Sequence, residues 1–171
     1  MDSKRINPFL YATKFGCTLG IVYIVYQTIR TLLGEHYINT SFNLLFLLLS
    51  FIGIIGFTIY SFKKENEHNL SMKQAILSGI TVSVITSLSV ILFTIVLTTM
   101  IEPDYYSTYT EQNRERHILG NPDRTPEQIE SDIRAGLASL SGDIQQALIL
   151  YNIGGLLLSL PIGFALRTKA S

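Results

Sequence analysis

FNLLFLLLSFIGIIGFTIYSF, residues 42–62, carries no charged side chain from end to end. A helix needs about 20 apolar residues to cross the hydrocarbon core of a bilayer, and this stretch supplies them. A strand that spans a membrane would instead alternate apolar and polar residues over about 10 positions, and no such alternation is present. The stretch reads as a transmembrane helix, and it sets the standard for the rest of the chain.

Three more blocks meet that standard. The first runs from about Phe15 to Leu33, with Lys14 before it and Arg30 near its end. The third, Ala75 to Ile101, is charge-free, and the fourth extends from Ile144 to Leu166. Lys14 and Arg30 can snorkel towards the headgroups without breaking the first span. That span is too long for a signal-peptide core, and GEHYINTS, which follows it, offers no cleavage site of small residues, so it reads as an uncleaved signal anchor. The predicted fold is all-α: a polytopic membrane protein with four transmembrane helices in one domain, residues 1–171, and an outer helical hairpin over about 103–142 that extends spans three and four.

Composition fits this class. Charged residues make up 15% of the 171, against about 25% in soluble domains. The net charge of zero hides their segregation, and no basic excess points to nucleic acid. Lys4, Arg5, Lys14, Lys63, Lys64, Lys73, Arg167 and Lys169 all fall on one side of the four spans. The opposite side has a short connection without lysine or arginine and a long one with four arginines among nine acids. The positive-inside rule then places both termini in the cytoplasm. Cys17, the one cysteine, has no disulfide partner and reads as a small packing side chain.

The long connection has its own signals. Pro103 should kink or restart a helix leaving span three, because its ring obstructs the preceding turn. Tyr105, Tyr106 and Tyr109 suit a headgroup level. Gly120, with Asn121-Pro122 after it, predicts a helix end. Thr125, Pro126 and Gln128 then form a capping-box pattern opening the next helix. Along that helix Ile129, Ile133 and Leu137 lie on one face, a stripe expected to pair with the preceding helix and to offer contacts to a partner. Glu111, Glu115 and His117 are close in sequence, but they lack a metal-binding spacing.

Within the spans, small residues recur at every fourth position: Gly16 and Gly20; Gly79, Ser83 and Ser87; Gly155, Ser159 and Gly163. This spacing lets helix backbones approach closely in lipid. Asn152 and Pro161 are the polar and helix-breaking exceptions in span four, and could border a cavity. Span three carries many hydroxyls, spread over more than one face. Spans two, three and four have no ionisable residue in their apolar stretches, which argues against a proton-coupled pump. No nucleophile elbow, phosphate loop, dinucleotide glycine pattern or zinc motif occurs, so no catalytic residue, cofactor or metal ligand is assigned.

With NPFLYATKFG near its start, PDYYSTY and TPEQIES in the long connection and NIGGLLLSLPIG in span four, the chain resembles a family of small bacterial four-helix inner-membrane proteins catalogued as a domain of unknown function. The resemblance implies a bacterial inner-membrane location and carries over no catalytic residues. The expected role is that of a non-enzymatic structural or partner-binding membrane subunit, embedded in the lipid bilayer and associating with a second copy or another membrane protein. The competing expectation is a small transporter or lipid-handling protein with a cavity between spans three and four.

Overall fold

The computed structural model describes residues 6–33, 41–120, 123–135 and 139–168. Among them there are six α-helices and no strand: α1 Pro8–Leu32, α2 Ser41–Glu65, α3 Met72–Val96, α4 Tyr105–Gly120, α5 Pro126–Ala135 and α6 Leu140–Leu166. Four helical stretches, Pro8–Leu32, Leu45–Glu65, Met72–Ile101 and Leu140–Leu166, are long and apolar enough to cross a membrane. The chain fits a multi-pass membrane protein.

Local chemistry accounts for where the helices begin and end. α1 starts well ahead of its apolar block because Asn7 caps it: the Asn7 side chain accepts from Phe9 N–H at 2.9 Å. Pro8 occupies the first turn, where no N–H is needed. α3 opens with a reciprocal cap, in which Ser71 N–H donates to Gln74 Oε1 at 2.8 Å and Gln74 N–H donates to Ser71 Oγ at 3.3 Å. The end of span three is underwound. Leu97–Ile101 form a π-helical turn, in which Glu102 N–H reaches back five residues to Leu97 O at 2.7 Å. Pro103 then supplies no N–H, the helix stops, and α4 starts afresh at Tyr105.

The chain forms two compact units. One contains α1, α2, α3 as far as Val90 and α6 from Ala147 onwards; the other contains Ile91–Gln146. In the first unit Tyr11, Leu19, Tyr23, Phe51, Ile55, Ile59, Phe62 and Val82 make the buried core. Aromatic edges join α1 to α2, with Tyr11 and Phe62 rings 5.6 Å apart and Phe15 and Phe57 rings 5.7 Å apart. Large apolar residues such as Ile21, Leu48, Leu88 and Leu157 are exposed on the helices' other faces, as lipid-facing surfaces require.

The turn between α2 and α3 holds two non-glycine residues in the left-handed region, Glu67 at φ 53° and His68 at φ 62°. Such a backbone costs about 1–2 kcal/mol per residue, so other bonds must hold it. Asn66 Nδ2 donates to Asn69 O at 2.7 Å. The end of the chain also takes part: Thr168 Oγ1 donates to His68 O at 2.7 Å and accepts from Leu70 N–H at 2.9 Å, while Thr168 N–H donates to Leu70 O at 3.0 Å. The segment after α6 is thereby stapled to the turn. It also places the end of α6 beside the start of α3.

The hydroxyls of span three do not line a channel. Thr81 donates to Leu77 O at 2.7 Å, Ser83 to Gly79 O at 2.8 Å and Ser89 to Ile85 O at 2.9 Å. Thr98 and Thr99 likewise bond to Thr94 O and Ile95 O. These five are satisfied by their own helix, a common arrangement for serine and threonine in helices; Thr86 instead donates to Gly16 O of α1, and the buried Ser78 Oγ has no hydrogen-bond partner among the described residues.

Candidate functional site

The small residues meet at two helix crossings within the first unit. Gly79 of α3 faces Ser159 and the Gly155 carbonyl of α6, and Gly155 faces Ser83 and the Gly79 carbonyl in return. A methyl group built on either glycine would overlap the opposing serine hydroxyl, and on Gly79 it would also sit 2.9 Å from Ser159 Cβ. Ser159 donates to Gly155 O within its own helix. Lower on the same face, Gly163 lies against Ala75 and Met72, where an added carbon would come within 2.7 Å of Ala75 Cβ. Close backbone approach is what every-fourth-residue glycine and serine allow in lipid.

The second crossing joins α1 to α3. A carbon on Gly16 would come 2.7 Å from Ile85 Cβ and 3.1 Å from Val82 O, and one on Gly20 would overlap Ser89. Thr86, fully buried, donates across to Gly16 O at 3.3 Å. Ser87 is buried and bonds to Val84 O at 2.9 Å. α3 therefore uses one side against α1 and another against α6.

Asn152 and Pro161 do not share a site. Nine positions apart is about two and a half turns at 3.6 residues each, so the two side chains leave opposite faces of α6. Pro161 is exposed and Asn152 half-buried. Asn152 Nδ2 donates to Leu148 O at 2.6 Å, and its buried Oδ1 has no hydrogen-bond partner. The interlocked glycines and serines leave no volume for a ligand where α3 crosses α6. Beside Asn152 the helices are joined by an aromatic layer that the small-residue spacing gives no hint of. The Tyr151 ring lies edge-on to Phe51 at 5.5 Å and 6.0 Å from Tyr23. Tyr23 OH donates to Leu47 O at 2.8 Å and accepts from Ser50 at 3.3 Å. Tyr26 bonds to Asn43 and stacks on Phe46 at 4.4 Å. Tyr23, Tyr26, Phe46, Phe51 and Tyr151 are scattered through spans one, two and four with no common spacing that marks them as one layer.

The second unit is tied at three levels. Tyr106 OH donates to Asp143 Oδ2 at 2.9 Å. Burial, and then the neighbouring carboxylate, push the Tyr106 phenol well above its ordinary range. Tyr106 thus joins α4 to the start of α6, while Tyr105 and Tyr109 rings stack 6.3 Å apart. Arg114 bridges Glu111 and Glu130, each at 3.0 Å, linking α4 to α5. The capping box forms as the spacing predicts: Thr125 N–H donates to Gln128 Oε1 at 3.0 Å and Gln128 N–H donates to Thr125 Oγ at 3.4 Å. Glu127's own backbone N–H, followed by the Thr125 hydroxyl, holds its carboxyl below the usual range.

α5 packs against α4, and Ile129 is only 8% exposed. Ile129, at the start of the apolar stripe, is thus buried where α5 lies on α4. The side chain of Ile133 and all of Leu137 lie outside the described residues, as do His36 and the side chain of His117. An open concavity on α5 is lined by Pro126, Glu127, Glu130 and Ser131, all at a solvated helix start. Among the described residues, no three His, Cys, Asp or Glu side chains gather as a metal site. No curated protein and no solved structure matches the chain. The family described as "Protein of unknown function (DUF4199)" matches residues 14–168, nearly the full sequence, and the chain belongs to that family.

Proposed function

We propose that the protein is a non-enzymatic membrane subunit of the bacterial inner membrane, with both termini in the cytoplasm. Its four spans form the bilayer-embedded body, and α4 and α5 form an outer surface that contacts a membrane-protein partner or a second copy of the chain. One observation carries the reading. The second unit is ordered by the Tyr106–Asp143, Arg114–Glu130 and Thr125–Gln128 ties, yet at the end of α4 it leaves Ile118 and Leu119 exposed, at 50% and 82%. Adjacent uncovered apolar side chains on a pre-ordered helix pair offer a contact surface at little entropic cost. The orientation rests on the one-sided lysines. The non-enzymatic part rests on the sequence, which lacks a recognisable nucleophile, base or ligand set.

A transport or lipid-handling role finds less support. It needs a volume between α3 and α6, and the interlocked Gly79, Ser83, Gly155 and Ser159 leave none at their crossing.

Single cysteines at Ile118 and Leu119, in a Cys17→Ser background, test the reading by short-range crosslinking in native membranes. The expected result is an intermolecular adduct at both positions, well above that from a cysteine at exposed Ser107 on the same helix. Equal, background-level crosslinking at all three positions would refute the contact surface.

A further inference from the structure

At one end of the first unit the positive charges outnumber the negative among the described residues. Lys14 lies on α1, Lys63 and Lys64 on the last turn of α2, Lys73 on the first turn of α3, and Arg167 just after α6. Contacts place these segments together: Tyr11 bonds to Glu65 at 2.8 Å, Gly163 faces Met72, and Thr168 bonds to Leu70 and His68. None of the five cations forms a salt bridge with a described acid. Glu65 is there, but it accepts from Tyr11; Glu67 is exposed in the turn. At the other end of the same helices, Arg30 is the one described cation. In the second unit, by contrast, Arg114 is neutralised by two carboxylates.

Two of the five are also held in place. Lys14 Nζ sits 4.0 Å from the centre of the Tyr11 ring and 4.9 Å from that of Phe15. The Arg167 guanidinium lies 4.3 Å over the Phe164 ring. Cation–aromatic contacts lay each charged stem along an apolar surface, so the two heads are held beside the apolar helix faces instead of ranging freely. Lys14 lies inside the candidate span Pro8–Leu32, where bulk anions have poor access and headgroups are the available counter-charge.

The geometry points to a collar that selects anionic phospholipids, with Lys14 and Arg167 as its fixed contacts to the headgroup phosphates and Lys63, Lys64 and Lys73 adding field. The occupant is a membrane lipid of net negative headgroup, such as phosphatidylglycerol. A free phosphate ion would gain the same charge contacts but no seat for acyl chains on the exposed apolar faces.

The test is the association of spin-labelled phosphatidylglycerol and phosphatidylcholine with the full chain in phosphatidylcholine vesicles, read by electron paramagnetic resonance. Phosphatidylglycerol should be selected, and the preference should fall as salt rises. Each surface cation is worth about fivefold, the equivalent of ~1 kcal/mol. Lys14→Gln with Arg167→Gln should therefore lower the preference by up to about 25-fold, whereas Lys14→Arg with Arg167→Lys should keep it. Equal association of the two lipids, a preference that survives the double glutamine variant, or one that ignores salt would each overturn the collar. Salt-dependence in the unaltered protein decides the matter even if the glutamine variant fails to fold. Displacement by inorganic phosphate beyond that by sodium chloride at equal ionic strength would reassign the site to a free anion and overturn the lipid assignment.

Discussion

Replacing Gly79 by alanine should destabilise the bundle, and the same replacement at Gly53 should not. At Gly79 the added methyl meets Ser159 Oγ, Ser159 Cβ at 2.9 Å and Gly155 O at 3.2 Å. The hydroxyl can rotate away, but the Cβ and the carbonyl belong to the α6 frame, so the two helices must separate. Carbon contacts are best at about 3.5–4.0 Å, and a gap of 0.5–1 Å elsewhere along the crossing forfeits a quarter to a half of each contact. Overpacking of this kind costs about 1–3 kcal/mol, and the rigid neighbours place it near the upper end. Alanine returns about 1 kcal/mol through helix propensity, leaving about 2 kcal/mol of net destabilisation. A methyl on Gly53, exposed on α2, meets nothing within 4 Å and keeps only the propensity gain of about 1 kcal/mol. The two variants should differ by about 3 kcal/mol in a reversible mixed-micelle unfolding assay. Adding Ser159→Gly to Gly79→Ala should recover part of the loss, as a coupled pair requires. Equal effects at Gly79 and Gly53, or no coupling with Ser159, would refute the reading of the α3–α6 crossing as the tight point of the bundle.

Two further outcomes concern the second unit. Tyr106→Phe removes the donor to Asp143 and leaves a half-buried carboxylate short of a partner; the cost should be about 1–3 kcal/mol, read as faster amide hydrogen exchange over residues 105–110, and no change there would show that the bond is unimportant. Glu127 titrates below its ordinary value of 4.5 because the start of α5 favours its charged form. A folded-state pKa below the unfolded one means stability present above pH 4.5 and lost as pH falls through the depressed value. Exchange protection of α5 should therefore hold from neutral pH down to about 5 and then decline, with Glu127→Gln flattening that dependence; an unaltered profile in the variant would locate the titration elsewhere.

The four spans were legible because a bilayer leaves few options: an uncharged run of that length must bury its backbone polar groups in a helix. Local signals were equally readable, since Pro103, Gly120 and the Thr125–Gln128 cap act within one or two turns of themselves. Pairing was not. Every-fourth-residue spacing identifies a face that can be approached, but Gly79 and Gly16 carry nothing that says one meets α6 and the other α3. α1 begins at Pro8, ahead of its apolar block, because the Asn7–Pro8 cap sets a helix start that apolar content does not mark. Ile129 stood on the predicted stripe, and whether a stripe faces a neighbouring helix or a partner depends on how α4 and α5 are set, which is a tertiary fact. The staple at Thr168 joins residues about 100 apart in sequence, with no local pattern to announce it.

The self-bonded hydroxyls of α3 bear on how the protein is made. With Thr81, Ser83, Ser89, Thr98 and Thr99 each satisfied within their own helix, most hydroxyls of span three need no neighbour to shelter them in lipid, and Thr86, which reaches Gly16 O of α1, gains its partner on assembly. Ser159 is satisfied in the same way within span four. Assembly then becomes largely a search for shape among helices already at home in the membrane, and α6 can close on α3 through its small-residue face without having to rescue buried hydroxyls such as Ser83.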